Sequence, residues 1–340
     1  MRILIYSPAF LPKIGGLELN TANLAGELRR AGHEVTVVTT TPGSSLDQGY
    51  RVVRNPSAWE LLRWVRWCDV FHQANVSLRG LWPLLLVRRP WVVSHHSWYC
   101  QSDGRITWRD RLKRRLLRFA ASSIAVSQGV ANDLATPSVV IPNAYRDNIF
   151  RRLEGVERSA ELVFLGRLVS DKGMDILLAA MALLAGEGLR PRLDVIGSGP
   201  EAVPLRQQAA RLGLNGQVRF LGVRTGEELV EILNRHRILV VPSRYNEPFG
   251  IVALEGIACG CLVVGSAGGG LKEAIGPCGD TFRNGDAADL ARVLGHRLRH
   301  PELDAACQEL GPAHLARHST SGMAAAYLRE MEGAMRKARR

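Results

Sequence analysis

Short apolar runs alternate along this chain with stretches of helical period, and glycine or proline closes most of them, a pattern that parallel α/β units satisfy and few other folds do. The opening is the clearest case. Arg2–Tyr6 reads as a strand, and Ser7–Gly16 as a loop carrying Pro8, Pro12, Gly15 and Gly16. A helix follows with Leu17, Leu24 and Leu28 at core spacing, Gly32 ends it, and Glu34–Thr39 closes a βαβ unit. Further strands are expected at Asp69–Phe71, Trp91–Ser94, Ser123–Val126 and Val139–Ile141. The polar segment Asn143–Glu157 has no apolar period and reads as a linker. After it the pattern restarts with strands at Glu161–Leu165, Leu193–Ile196, Val218–Leu221, Ile238–Val241 and Leu262–Val264, and a helix from Gly173 to Leu184. The expected architecture is α/β, two doubly wound, Rossmann-like domains facing each other across a cleft, with ligands at the carboxyl ends of the strands.

The 340 residues, 46% of them hydrophobic, are enough for two domains with their own cores and exclude a disordered chain. No apolar run approaches the ~20 residues of a membrane span, and Met1-Arg2 leads straight into a strand rather than a signal sequence. Six cysteines without paired C-x-x-C spacing suggest neither zinc nor a disulfide framework, so a cytoplasmic location is expected.

The net charge of +12 is unevenly placed. Residues 1–152 hold 21 Lys and Arg against 10 Asp and Glu, whereas residues 153–340 hold 23 against 22. The densest stretch, Arg105–Arg118, interleaves Arg109, Arg111, Lys113, Arg114, Arg115 and Arg118 with Trp108, Leu112 and Leu116 on one helical stripe. All seven tryptophans lie between Trp59 and Trp108. A solvated helix face and a surface for anionic lipid or an anionic acceptor both fit this pattern. Nucleic acid is not indicated, since no reader module accompanies the charge.

Several loops at strand ends carry residues suited to a phosphorylated ligand. Gly166-Arg167 ends a strand and Asp171-Lys172-Gly173 opens the next helix, placing two cations at one strand-to-helix turn. The chain has 39 Arg and only five Lys, so a lysine at 172 goes against its bias. An ordinary exposed turn is the bland alternative. Gly197-Ser198-Gly199-Pro200 is a glycine turn that needs no ligand and is not a dinucleotide fingerprint. Asn246-Glu247-Pro248-Phe249-Gly250 runs into Ile251–Glu255. Pro248 disfavours helix at Glu247, so the helix starts near Gly250 with its first amides available to phosphate. Two carboxylates beside a phosphate site would repel it, but they can accept hydroxyls of a sugar and a ribose. Gly265–Gly270 follows the next strand, and His95-His96 follows Trp91–Ser94, where a histidine could serve a sugar or simply pack. There is no Asp-x-Asp pair to bridge a metal to a diphosphate, no Walker lysine and no G-x-S-x-G elbow.

Glu247-Pro248-Phe249-Gly250 through Glu255, a Glu-x7-Glu spacing, resembles the signature of the retaining glycosyltransferases of family 4, with the GT-B fold. Gly15-Gly16-Leu17-Glu18, Val126-Ser127, Ile141-Pro142-Asn143, Gly166-Arg167 with Asp171-Lys172-Gly173, and Gly197–Pro200 match further family loops in order. The resemblance implies a nucleotide-sugar donor held by a C-terminal domain (153–318), an acceptor held by an N-terminal domain (1–152), and a last helix (319–340) crossing back. It also implies net retention without a divalent metal or any cofactor. Carried over, Arg167 and Lys172 hold the diphosphate, Gly15, Gly16, Gly250 and Ile251 approach the phosphates, Glu247 meets donor-sugar hydroxyls and Glu255 the ribose. His96 contacts the donor sugar in preference to His95, although Ser97 stands where the family has an acidic residue. Cys259-Gly260-Cys261 also departs from the family pattern.

The function expected is transfer of a sugar from a nucleotide-sugar donor to a glycan or lipid-linked acceptor of cell-envelope synthesis, possible at an anionic membrane surface through Arg105–Arg118. A nucleotide-sugar epimerase of the same fold and a non-catalytic nucleotide-sugar or polyanion-binding protein are the alternatives.

Overall fold

The computed structural model describes residues 1–13, 15–43, 48–100, 104–134 and 136–339. It divides into two units, Met1–Ala144 with Ser319–Arg340, and Tyr145–His318.

The first unit holds a parallel sheet of β1 (Arg2–Ser7), β2 (Glu34–Thr39), β3 (Arg51–Arg54), β4 (Val70–Ala74), β5 (Trp91–His95), β6 (Ser122–Ala125) and β7 (Val139–Val140). Its order is β3-β2-β1-β4-β5-β6-β7, reversing direction beside β1, as in doubly wound sheets. Ile3 of β1 aligns with Val35 on one side and Val70 on the other. Both faces of β1, β2, β4 and β5 are covered, which is why they read as near-continuous apolar runs instead of alternating ones. The helix Gly16–Arg30 buries Leu24, Ala25 and Leu28 on the sheet. The chain returns at its end to the same core. In Thr320–Arg339, Met323, Tyr327, Met331 and Ala334 recur at helical spacing and join the cluster of Ile3, Ile5 and Leu24. Burying Met331 completely contributes roughly 1.5–3 kcal/mol.

The second unit repeats the plan with β8 (Ala160–Leu165), β9 (Leu193–Ile196), β10 (Val218–Gly222), β11 (His236–Val241), β12 (Leu262–Ser266) and β13 (Gly279–Phe282), in the order β10-β9-β8-β11-β12-β13. The strand order reverses between β8 and β11, so the loops leaving their carboxyl ends diverge around a crevice, the place where such sheets bind ligands. The helix Met174–Gly186 buries a broad face, including Met174, Leu177, Leu178, Met181 and Leu184.

Two sequence expectations need correction. The first domain ends at Ala144, not at Arg152. Tyr145–Arg152 lacks regular structure, yet side chains tie it to the second unit: Phe150 is buried, Leu153 N donates to Asn234 Oδ1 at 2.8 Å, and Asn234 Nδ2 donates to Arg151 O at 3.0 Å. Periodicity cannot register a segment held this way. The edge strands β3 and β13 were also absent from the expected set. Each has four residues, too few for a period to show, and Gly279 and Asp280 disguise the second. Of the expected first loop, Ile14 lies outside the described residues.

Candidate active site

In the second unit the glycine loops pack backbone against backbone. Gly173 is left-handed (φ 65°), and a Cβ there would lie 1.9 Å from Pro242 O. Leu168 N donates to Ser198 O at 2.9 Å and Arg244 N to Asp171 O at 2.9 Å, so the turns after β8, β9 and β11 form one platform. Glu247 bridges in parallel to Gly269, and Gly270 N donates to Glu247 O at 2.7 Å, which adds the loop after β12.

On this platform the structure brings Lys172 and Glu247 together. Lys172 Nζ donates to Glu247 Oε1 at 2.5 Å, and Ser243 Oγ donates to the same oxygen at 2.7 Å. Glu247 is buried and Lys172 half-buried. Sequence reasoning missed Ser243. Its signal was its place, two residues beyond the end of β11 in the loop that carries the glutamate. Arg167 leaves the end of β8 exposed to solvent, and its guanidinium makes no hydrogen bond or ion pair among the described residues.

Gly250 (φ 102°, ψ 59°) caps the helix Ile251–Ala258, so Ile251 is its first residue and Glu255 lies one turn further. The left-handed cap turns the chain into the helix, whose first amides have no intrahelical partner. Glu255 is buried, and its carboxyl group is pushed up to about 7 by burial, opposed by Arg146, whose Nη2 is 3.3 Å from Oε1. Arg146 was also missed, because it lies in the segment read as a linker.

In the first unit, Gly15 is the extended cap of the helix that begins at Gly16, and Leu19 N donates to Gly15 O at 3.0 Å. The two histidines at the end of β5 have different fates. His95 is fully buried with both ring nitrogens engaged, Nδ1 at 2.7 Å from Tyr99 OH and Nε2 at 2.9 Å from Ser123 Oγ. It is part of the framework. His96 is half-buried; its backbone N donates to Asn75 Oδ1 at 2.7 Å, and its Nε2 lies 2.8 Å from Ser94 Oγ, which in turn lies 3.0 Å from His72 Nε2. Burial pulls His96 down to about 4, with the Asn143 side chain opposing, so its imidazole is neutral at pH 7.

The basic stretch forms the helix Trp108–Leu116, opened by a reciprocal cap between Thr107 and Asp110. Leu117 is buried, and Arg114 donates to Asp133 Oδ2 at 2.7 Å, anchoring the helix. Its apolar stripe does not face a core: Trp108 is 66% and Phe119 65% exposed, with Ile106 and Leu112 also outward beside Arg109, Arg111, Arg115 and Arg118. Among the described residues no group of three or more His, Cys, Asp or Glu could hold a metal, and no helix is long and apolar enough to cross a membrane.

Two family models match the chain. One described as "Glycosyl transferases group 1" covers residues 146–313, and one described as "Glycosyltransferase Family 4" covers residues 14–147. An uncharacterized glycosyltransferase of Methanocaldococcus jannaschii is 30% identical over 324 residues, spanning 81% of this chain and 83% of that protein. The D-inositol 3-phosphate glycosyltransferase of Corynebacterium jeikeium is 38% identical over 178 residues, which are 50% of this chain and only 42% of the relative. Among solved structures, Anabaena HepE in complex with UDP shares the fold at a TM-score of 0.82 and 22% identity, covering 98% of this chain and 100% of HepE. WaaG, a glycosyltransferase involved in lipopolysaccharide biosynthesis, superposes at 0.74 with 19% identity, over 97% and 100% of the two chains.

Proposed function

The chain belongs to family 4 of the glycosyltransferases and has their GT-B fold, and from that premise we propose that it transfers a sugar, with retention and without a divalent metal, from a nucleotide-sugar donor to a glycan or lipid-linked acceptor of the cell envelope. The observation that carries this reading is the cluster at the β8–β11 crevice: Lys172 and Glu247 in contact, beside the Gly250-capped helix start and one turn from Glu255. A cation, free amides and two hydroxyl-accepting carboxylates match the parts of a nucleotide-sugar in turn.

In this reading Arg167, Lys172 and the amides at Gly250 and Ile251, with Gly15 and Gly16 from the first unit, stabilise the departing diphosphate, the role a metal ion would otherwise take. Glu247 fixes the sugar through its hydroxyls and Glu255 the ribose. His96, neutral and bonded to Ser94, is a hydrogen-bonding group for the sugar. Support for the donor class comes from HepE, which has been crystallised with UDP and with UDP-glucose. The outward Trp108 stripe flanked by arginines supports action at the cytoplasmic face of an anionic membrane, where a lipid-linked acceptor would be met.

The test is thermal unfolding with UDP-, GDP- and ADP-sugars, each with EDTA and with Mg²⁺. A donor at a hundred times its Kd stabilises the chain by ~2.7 kcal/mol. One nucleotide class should shift the midpoint equally with and without metal. A shift that appears only with Mg²⁺ would overturn the metal-free reading, and none with any donor would overturn the donor site.

A further inference from the structure

We propose that Arg146 is a positioning residue of the nucleotide site: by pairing with Glu255 it favours the ionised form of that carboxylate and orients it as a hydroxyl acceptor. This rests on the reading of Glu255 as the ribose contact.

A lone carboxylate as buried as Glu255 would take up a proton before it stayed charged. Arg146 is placed to oppose that. Its backbone oxygen accepts from Ile149 N and Phe150 N, both at 3.0 Å, and Tyr145 N donates to His318 O at 3.3 Å, so a tight turn fixes its origin. Its guanidinium lies over the buried Phe150 ring, 4.9 Å from the centroid, and reaches Glu255 Oε1 from there.

The pair is not built like a structural ion pair. In the same unit, Arg219 grips Asp194 with two bonds of 2.7 Å, and His236 together with Arg219 holds Asp194 down at about 2 against its burial. Arg146 makes one bond of 3.3 Å to Glu255, longer than a charge-assisted bond at its best, and its Nε is buried with no partner. Arg146 therefore opposes protonation of Glu255 without saturating it, and leaves acceptor capacity for another group. A hydroxyl-bearing ligand uses that capacity; a structural pair would have closed it.

The other ionisable groups around the Glu255 helix are committed elsewhere or act weakly. Cys259 ends the helix, and its thiol is pushed up by burial. On β11, His236 faces Asp194 and Arg237 pairs with Asp304. Lys272 and Glu273 lie on the neighbouring helix Leu271–Ile275, and Asp304, Cys307, Glu309 and His314 on Asp304–Leu315, where His314 bonds to Ala274 O at 2.8 Å. Among the described residues, Arg146 is the one charge that acts on Glu255.

The experiment compares the full chain with Arg146→Met, Arg146→Lys, Glu255→Gln and the double variant Arg146→Met/Glu255→Gln. Unfolding midpoints are measured from pH 6 to 9 without nucleotide, and binding of UDP, GDP and ADP over the same range. An acid whose folded pKa is raised leaves the native state more protonated than the unfolded one, so stability falls as pH rises through that window. Losing Arg146 extends the window upward. Arg146→Met should therefore lose several degrees more than wild type between pH 7 and 9, the double variant should not, and Arg146→Lys should regain most of the difference. At pH 7.5, Arg146→Met should weaken the nucleotide that binds wild type by tenfold or more, with recovery towards pH 9. A wild-type unfolding profile in Arg146→Met would overturn the proposal. So would loss of binding in Glu255→Gln with Arg146→Met unaffected, which leaves the donor-site reading standing. Failure of all three nucleotides to bind wild type would overturn that reading itself, and the nucleotide role of Arg146 with it.

Discussion

Lys172 Nζ lies 2.5 Å from Glu247 Oε1, so the residue assigned to the donor diphosphate and the residue assigned to its sugar are each other's partner. A diphosphate that takes Lys172 competes with Glu247 for it and frees Oε1 to accept sugar hydroxyls. Glu247→Ala is expected to lower turnover about 100-fold, the effect of losing one or two charge-assisted bonds at ~1.5–3 kcal/mol each. The fold should survive, because the Lys172 side chain is 28% exposed and can turn to water once Glu247 is gone. Measuring kcat and the unfolding midpoint on the same preparation checks both halves; wild-type turnover would remove Glu247 from the site.

Gly173 carries a second prediction. Its left-handed backbone and the 1.9 Å that a Cβ would leave to Pro242 O mean that Gly173→Ala must move the turn that presents Lys172. We expect a loss of about 2–4 kcal/mol, from strain plus the displaced backbone. Gly285→Ala is the control: it too has positive φ (78°), but nothing lies within 4 Å of its Cβ. Its cost should be no more than about 1–2 kcal/mol. Equal midpoints for the two variants would show that the loops do not pack as described.

The sheets were legible because their strands are buried on both faces. Glu34–Thr39 and Leu193–Ile196 coincide with β2 and β9 to the residue. What the sequence could not show was held by side chains. Ser243 and Arg146 reach their carboxylates through single hydrogen bonds from irregular segments, and no spacing rule marks such residues. The Glu-x7-Glu spacing was visible, but the difference between its members was not: Glu247 has a lysine and a serine on one oxygen, while Glu255 is pushed up to about 7. Likewise His95 and His96 are adjacent in sequence, and only burial separates a framework histidine from a candidate contact.

The first unit should be acid-labile. Burial holds His72 and His95 at about 3 and His96 at about 4, all below the unfolded value near 6.5. A depressed histidine leaves the unfolded state with more protons, so stability is lost as pH falls below about 6.5. Three such groups give a slope of up to ~4 kcal/mol per pH unit. All seven tryptophans lie in this unit, so their fluorescence reports its unfolding alone. The midpoint so measured should fall by more than ~10 °C between pH 7.5 and 5.0. A flat profile would mean that the histidines are already charged or are solvated.

The helix Trp108–Leu116 gives the last prediction. A solvated basic helix would turn its apolar residues inward, but here Trp108 and Leu112 face out on the same surface as Arg109, Arg111 and Arg115. Each cation near an anionic bilayer contributes ~1 kcal/mol, and Trp108 adds apolar area at the interface. Replacing Arg109, Arg111 and Arg115 by Gln should weaken flotation with phosphatidylserine-containing vesicles by about 100-fold, and Trp108→Ala should weaken it less. Neither change should move the unfolding midpoint, because the side chains that anchor this helix, Leu117 and Arg114, are untouched. High salt should release the wild-type chain from the vesicles, as screening requires. Equal, negligible flotation with anionic and neutral vesicles would dismiss the membrane surface and leave the stripe to an anionic acceptor.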